Sequence, residues 1–204
     1  MASIIILAGG KSSRMGRDKL LLDWGGETFL GSLTRRFSVK FDRVYVSLAQ
    51  PDKYPEITLE RIADIYPGHG PISGLHAALT RTGDDVFLVA ADLPLATPEA
   101  AERVLSFASP EWDAVAPREA NGRIEPLFAW YSRRCLPLVE EELMAGRRKM
   151  AALLERLRTR FLAPEELGDT WRDDLLTNVN RPEEYESLKN SHDARESLEI
   201  PGRW

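Results

Sequence analysis

Apolar residues fall into two kinds of run along this chain, and the two kinds take turns. The first is short and strand-like, as in the unbroken Ile4-Ile5-Ile6-Leu7 and Val86-Phe87-Leu88-Val89-Ala90-Ala91 and the more mixed Arg43-Val44-Tyr45-Val46-Ser47-Leu48. The unalternating runs predict parallel strands covered on both faces. The second kind repeats at helical intervals. Phe29, Leu30, Leu33 and Phe37 predict one helix, with Arg35, Arg36 and Lys40 towards its C-terminus, where cations suit the macrodipole. Leu75, Ala78 and Leu79 predict a second, capped by Ser73 and stopped at Arg81 and Gly83. Ala101, Val104 and Leu105 set the face of a third, opened by Pro98 and running to about Phe107.

Breakers separate these runs. Leu20-Leu21-Leu22 stops at Asp23 and the turn pair Gly25-Gly26, and the Pro51 to Pro55 segment is loop. Leu59 to Ala63 reads as a short strand ending at Asp64, followed by Tyr66-Pro67-Gly68-His69-Gly70-Pro71, a candidate ligand loop. In the second half, Asp113 to Ala116 is a strand and Asn121-Gly122 a hairpin signal. Ile124 to Tyr131 is strand-like, but Pro126 demotes it to an edge or bulged strand. Helices follow around Leu136 to Leu143 and Met150 to Leu157, then short strands at Phe161-Leu162 and Leu175 to Val179, and a terminal helix opened by Pro182. This alternation predicts an α/β fold of three layers, α/β/α, around a mostly parallel doubly wound sheet whose ligands bind at the carboxyl ends of the strands.

Length and composition narrow the class. A chain of 204 residues buries a sizeable core as one domain, taken here as 1–190, and the weakly periodic stretch 191–204 reads as a tail. No apolar run approaches the roughly 20 residues of a membrane span, and no basic segment precedes the first strand, so the expectation is a cytoplasmic protein with no membrane partner. The single cysteine, Cys135, cannot form an internal disulfide and reads as a small buried hydrophobe. A formal net charge of −5, without a long basic stripe, argues against nucleic-acid binding. His69 and His76 lack metal-ligand neighbours, and the Arg147-Arg148-Lys149 run reads as a solvated helix start or a second phosphate contact.

Against that acidic background, the segment after the first strand stands out. Gly9 and Gly10 permit positive φ and close approach of backbone N–H groups to an anion, and Lys11, Arg14, Arg17 and Lys19 follow with only Asp18 opposing them. A P-loop would need its first glycine at Ile5, inside the strand, and the adjacent glycines do not fit the G-x-G-x-x-G dinucleotide fingerprint. Gly9, Asp64 and Asp92 each follow a predicted strand and can converge on one crevice. The stretch from Leu7 to Lys19 resembles the signature of nucleotidyltransferases that join a nucleoside triphosphate to a phosphorylated acceptor; on that resemblance Arg14 and Lys11 suit the β- and γ-phosphates, Lys19 reaches the α-phosphate, and Asp92 can hold Mg²⁺ or, alternatively, cap a helix or turn.

The segments Leu7-Ala8-Gly9-Gly10-Lys11-Ser12-Ser13-Arg14-Met15-Gly16-Arg17-Asp18-Lys19, Gly68-His69-Gly70-Pro71-Ile72-Ser73-Gly74-Leu75, Asp92-Leu93-Pro94, Glu125-Pro126-Leu127 and Asn178-Val179-Asn180-Arg181-Pro182-Glu183-Glu184-Tyr185 occur in the order seen in the molybdenum cofactor guanylyltransferase family, which the chain resembles over roughly residues 3 to 188. The resemblance implies a fold like that of nucleotide-diphospho-sugar transferases. It implies transfer of GMP from GTP to molybdopterin with Mg²⁺, releasing pyrophosphate, with molybdenum-cofactor insertion proteins as further partners. By position it assigns Leu7, Ala8, Gly9 and Gly10 to the nucleotide, Lys19 to its phosphates, Asp64 to the guanosine, and Asp92 to both metal and nucleotide. Arg14, Lys19 and Asp92 are then the catalytic candidates. Lys11 and Asn180 are the substrate-binding candidates, Asn180 for the pterin end or a second metal contact. Ser47 departs from the Asn of relatives. Two rivals share the fold: a molybdopterin cytidylyltransferase and a sugar-phosphate nucleotidyltransferase. A third reading, from another class, is a non-catalytic nucleotide-binding or cofactor-delivery module.

Overall fold

Three consecutive isoleucines in one strand can all be buried only if both faces of the sheet are covered, and that requirement shapes the molecule. The computed structural model describes residues 2–9, 18–50, 52–179 and 183–189. In chain order, β1 (Ser3–Leu7) is followed by a small hairpin of β2 (Asp23–Trp24) and β3 (Glu27–Thr28), then α1 (Phe29–Lys40), β4 (Val44–Leu48), β5 (Glu60–Ala63), α2 (Pro71–Thr82), β6 (Val86–Ala90) and α3 (Pro98–Leu105). The second half adds β7 (Ala114–Pro117), β8 (Phe128–Tyr131), α4 (Leu136–Met144), α5 (Met150–Arg156), β9 (Thr159–Leu162) and the short α6 (Pro164–Leu167). Residues 183–189 are helical, and the expected tail lies outside the described residues.

Seven strands form one sheet in the order β5-β4-β1-β6-β8-β7-β9, parallel except for β8, which runs antiparallel to both β6 and β7. Alternate side chains go to opposite faces. Ile4, Ile6, Phe87 and Val89 pack with Leu30, Leu33, Phe37 and Val104 from α1 and α3. Ile5, Val86 and Leu88 pack with Leu75, Val139 and Leu153 from α2, α4 and α5. These two apolar layers make the fold a three-layer α/β/α sandwich, as the sequence predicts.

The chain leaves β1 towards β4 and β5, then returns to β6 on the other side of β1. Winding therefore reverses between β1 and β6, and a crevice opens beyond their carboxyl ends. Main-chain pairing runs right up to it. Ala8 N–H donates to Ser47 O at 2.9 Å, and Ala91 N–H donates to Leu7 O at 3.0 Å.

Four local expectations need correction. The strand after Pro126 is neither an edge nor bulged: β8 starts two residues later, between β6 and β7, so the proline stays out of the ladder. Helix α2 starts at Pro71, with Gly70 as its N-cap at φ 74°. Ser73 lies inside that helix, and its hydroxyl donates to Tyr66 O instead of capping. Residues 175–179 are not a strand: 175 and 176 close a turn over 173–176, with Leu175 N–H on Arg172 O at 2.9 Å and Thr177 N–H on Asp174 O at 3.0 Å, and 177–179 are irregular. The buried side chains of Leu175, Leu176 and Val179 account for the apolar signal there. The third helix closes at Leu105, earlier than the apolar pattern reaches.

Candidate active site

Lys19 and Asp92 come from opposite sides of the winding reversal and meet in the crevice. Asp92 follows β6 in a tight turn, where Leu93 N–H donates to Ala90 O and Ala96 N–H to Leu93 O, each at 3.1 Å. The Arg36 guanidinium of α1 holds that turn, donating to Pro94 O at 2.6 Å and Ala96 O at 2.9 Å. Burial pushes the Arg36 pKa down to about 10, which still leaves it a cation at neutral pH. Lys19 begins a 3₁₀ turn, Lys19–Leu21, whose preceding residue Asp18 accepts Leu20 N–H at 3.2 Å. The Lys19 ammonium lies 2.6 Å from Asp92 Oδ2.

The crevice is a cavity of about 620 Å³ whose walls include Leu7, Ala8, Gly9, Lys19, Asp64 and Asp92. That volume falls within the range of small-molecule and nucleotide sites, roughly 300–1,000 Å³. Every candidate that falls among the described residues thus borders one space. Gly10, Lys11, Arg14 and Asn180 lie outside the described residues.

Gly9 departs from its expected reason for being glycine. Its φ is not positive, and a Cβ there would meet Ala49 N at 3.6 Å, an ordinary contact. Gly74 carries the steric constraint instead. On the bare face of α2, a Cβ at Gly74 would lie 2.7 Å from Leu7 Cδ2, 3.0 Å from Ser47 Oγ and 3.9 Å from Asp64 Oδ1. Helix, strand end and carboxylate therefore pack as closely as a missing side chain permits.

Asp64 ends β5 half-buried in this wall. Burial raises its carboxyl pKa above the usual value, and the nearby His69 partly opposes that shift. His69 Nδ1 is itself buried and has no hydrogen-bond partner among the described residues. His76, on α2, is packed edge-on against Tyr66 with its Nε2 3.4 Å from Glu140 Oε1, on the helix-packing side. Of the basic run, Arg147 is committed to Glu141 and Glu142, and Arg148 donates to Gly68 O at 3.1 Å. The Arg148 bond braces the loop at the cavity rim. The Cys135 thiol is buried, donates to Asp113 O at 2.9 Å, and is pushed up to about 12 by burial.

Sequence reading missed the support behind Asp92. Val179 N–H donates to Asp92 O at 3.1 Å, and the Val179 side chain is fully buried. In the amide orientation that satisfies both neighbours, Asn178 donates to Asp92 Oδ1 at 3.3 Å and accepts from Arg123 at 3.2 Å. Arg123 also reaches Glu125 Oε2 at 3.2 Å. Burial raises the Glu125 pKa despite the Leu127 N–H bond at 3.1 Å, the Arg123 charge partly offsetting the burial. The available signal was the polar Asn178 directly before the apolar Val179, since successive side chains of a non-helical segment point to different sides.

These groups suit a divalent cation of the oxygen-seeking type. No cluster of three or more acidic, histidine or cysteine side chains occurs among the described residues. Mg²⁺ needs none, because it is commonly held by one or two carboxylates and completes its shell with phosphate oxygens and water. Asp92 is a carboxylate that could serve such an ion, and it borders a cavity of about 620 Å³.

Residues 4–161 match the family model of the MobA-like NTP transferase domain. A Carboxydothermus hydrogenoformans protein named "Probable molybdenum cofactor guanylyltransferase" is 32% identical over 188 residues, covering 91% of this chain and 94% of that protein. The chain belongs to the molybdenum cofactor guanylyltransferase family. A Pyrococcus furiosus member of the same name is 32% identical over 190 residues, covering 90% of this chain and 94% of its own. The crystal structure of molybdopterin-guanine dinucleotide biosynthesis protein A from Archaeoglobus fulgidus superposes with a TM-score of 0.84 at 24% identity, covering 94% of this chain and 99% of that one. A Mycobacterium tuberculosis protein solved in complex with manganese shares the fold at a TM-score of 0.66 and 19% identity, covering 93% of this chain and 98% of that one. As a family member, this chain is an enzyme, a nucleotidyltransferase of molybdenum cofactor biosynthesis.

Proposed function

We propose that this enzyme transfers GMP from GTP to the terminal phosphate of molybdopterin, with Mg²⁺, releasing pyrophosphate and forming the guanine dinucleotide form of the cofactor. The observation that supports this most is the Lys19–Asp92 contact at 2.6 Å inside a cavity that Asp64 also borders. A phosphate oxygen of the acceptor attacks the α-phosphorus of GTP, and the bond from that phosphorus to the bridging oxygen breaks as pyrophosphate departs. The nucleophile is already an anion, so the protein's task is to hold anions together and stabilise the charge that develops. Lys19 leaves Asp92 and turns to the α-phosphate. Arg14 and Lys11 take the β- and γ-phosphates, Arg14 through its bidentate fork. The backbone at Leu7, Ala8, Gly9 and Gly10 lies along the nucleotide, and Asn180 serves the pterin end or a second metal contact. When bound at Asp92, Mg²⁺ neutralises phosphate charge.

Asp64 gives the guanine preference. As a carboxylate it accepts the adjacent N1–H and N2–H groups, a donor pair that cytosine does not present. Among the described residues no helix is long and apolar enough to cross a membrane. The enzyme works in the cytoplasm as one transferase domain, and its product passes to molybdenum-cofactor insertion proteins. The test is pyrophosphate release from each of the four nucleoside triphosphates in turn, with molybdopterin and Mg²⁺. GTP alone should react at a substantial rate; an equal rate from CTP would replace the guanylyl assignment with the cytidylyl one, and no turnover with any triphosphate would favour a delivery module.

A further inference from the structure

A second structure beside the cavity is built around Asp18, the residue that leads directly into Lys19. Its carboxylate accepts the Tyr54 hydroxyl at 2.8 Å and the Lys53 ammonium at 2.6 Å, both through Oδ2. Its other oxygen takes Leu20 N–H at 3.2 Å, across the Lys19 turn. Asp18 is thus tied on one side to the loop between β4 and β5 and on the other to the turn that carries Lys19.

That loop is held in a particular shape. Tyr54 has φ 57°, the one non-glycine residue with positive φ among the described residues, in a region that bulky side chains rarely occupy. Such a conformation persists only where the surroundings impose it. Here the Arg61 guanidinium donates to Lys53 O at 2.6 Å, Tyr54 O at 2.8 Å and Ile57 O at 2.9 Å. The Tyr54 ring is buried in the core on the α1 side, and Lys53 lies over it at 4.6 Å. Burial works against the Asp18 charge, but donors from Lys53, Tyr54 and Leu20 keep its pKa below the ordinary carboxylate value. Burial and the Asp18 carboxylate together push the Tyr54 pKa well up, so its hydroxyl stays a donor.

We propose that Tyr54 is a positioning residue for nucleotidyl transfer: its hydroxyl, fixed by the Arg61-braced loop, holds Asp18 and so sets where the Lys19 ammonium lies. This rests on the role of Lys19 stated above. Lys53 doubles the tie with a charge, and Leu20 N–H transmits it to the turn. A tyrosine hydroxyl suits this task because it combines a rigid ring, anchored in the core, with one directional donor.

The test is a cycle of Tyr54→Phe, Lys19→Ala and the double variant, with kcat and KM for GTP measured for each. Tyr54→Phe keeps the ring and its packing and removes the donor. With the donor gone Asp18 loses its rigid tie, so kcat should fall roughly tenfold or more, with KM changed less. In the Lys19→Ala background the same substitution should cost nothing further, a result that general loosening of the fold would not give. Circular dichroism and the unfolding midpoint establish that each variant is folded. Should Tyr54→Phe not fold, Asp18→Asn replaces it in the cycle with the same expectation. Wild-type kcat in Tyr54→Phe, or a loss that multiplies fully with that of Lys19→Ala, overturns the proposal. Undiminished activity of Lys19→Ala would instead remove the reading of Lys19 on which it rests.

Discussion

The Lys19 ammonium and Asp92 Oδ2 are 2.6 Å apart although 73 residues separate them in sequence, and each side chain is largely shielded, with 15% and 25% of its surface exposed. Without nucleotide, each charge satisfies the other. On the roles proposed above, a metal ion arriving alone would compete with the ammonium for Asp92, and a triphosphate arriving alone would compete with the carboxylate for Lys19. Arriving together they replace both partners at once.

Binding of the two should therefore be mutually reinforcing. By linkage, GTP tightens Mn²⁺ binding by the same factor as Mn²⁺ tightens GTP, and a factor of roughly 5–150 is typical of such coupling. Electron paramagnetic resonance of free Mn²⁺, titrated with and without GTP, measures it. Lys19→Met should bind Mn²⁺ more tightly than wild type when no nucleotide is present, and lose kcat by about 100-fold or more. Equal Mn²⁺ affinities with and without GTP would contradict the exchange.

Gly74→Ala should damage the pocket more than the fold. The new methyl group drives Leu7 Cδ2 from 2.7 Å, and Leu7 borders the cavity. Overpacking costs typically about 1–3 kcal/mol, whereas exchanging glycine for alanine inside a helix returns roughly 1 kcal/mol. The unfolding midpoint should shift by a few degrees at most, while KM for GTP rises several-fold. An unchanged KM would place the nucleotide elsewhere.

The raised pKa of Asp64 gives a pH signature. Because burial favours its protonated form, the folded state binds this proton more tightly than the unfolded chain. Its contribution to stability is present below the ordinary carboxylate value and is lost as pH rises through the raised one. On the proposed role of Asp64 the ionised form accepts the guanine donors, so GTP affinity should rise with pH across that same interval. Asp64→Asn should flatten the profile and weaken GTP relative to CTP, while leaving stability at neutral pH equal or higher, since a buried charge is gone. A GTP titration across pH 4–7 reads both effects, and a steep profile retained in Asp64→Asn would assign it to another group.

The sheet and the crevice were legible in sequence because their signals are local. Unbroken apolar runs mark β1 and β6, a mixed one marks β4, and Gly9, Asp64 and Asp92, just after β1, β5 and β6, line the cavity. What escaped depends on contacts between distant segments. Nothing near Tyr54 in sequence announces that its hydroxyl reaches Asp18, or that Arg61 bends the intervening loop to deliver it. Asn178 looked no different from Asn180 until Val179 was found docked on the Asp92 carbonyl. Pro126 misled for the opposite reason: a proline weakens a strand only inside the ladder, and β8 begins after it.

The most direct test is pyrophosphate release from GTP, with molybdopterin and Mg²⁺, by wild type and by Asp92→Asn. The asparagine keeps the shape of the side chain and removes the negative charge that a cation and Lys19 share. The account predicts magnesium-dependent release by wild type and none above background by a folded Asp92→Asn enzyme. Release by that variant at the wild-type rate would contradict it.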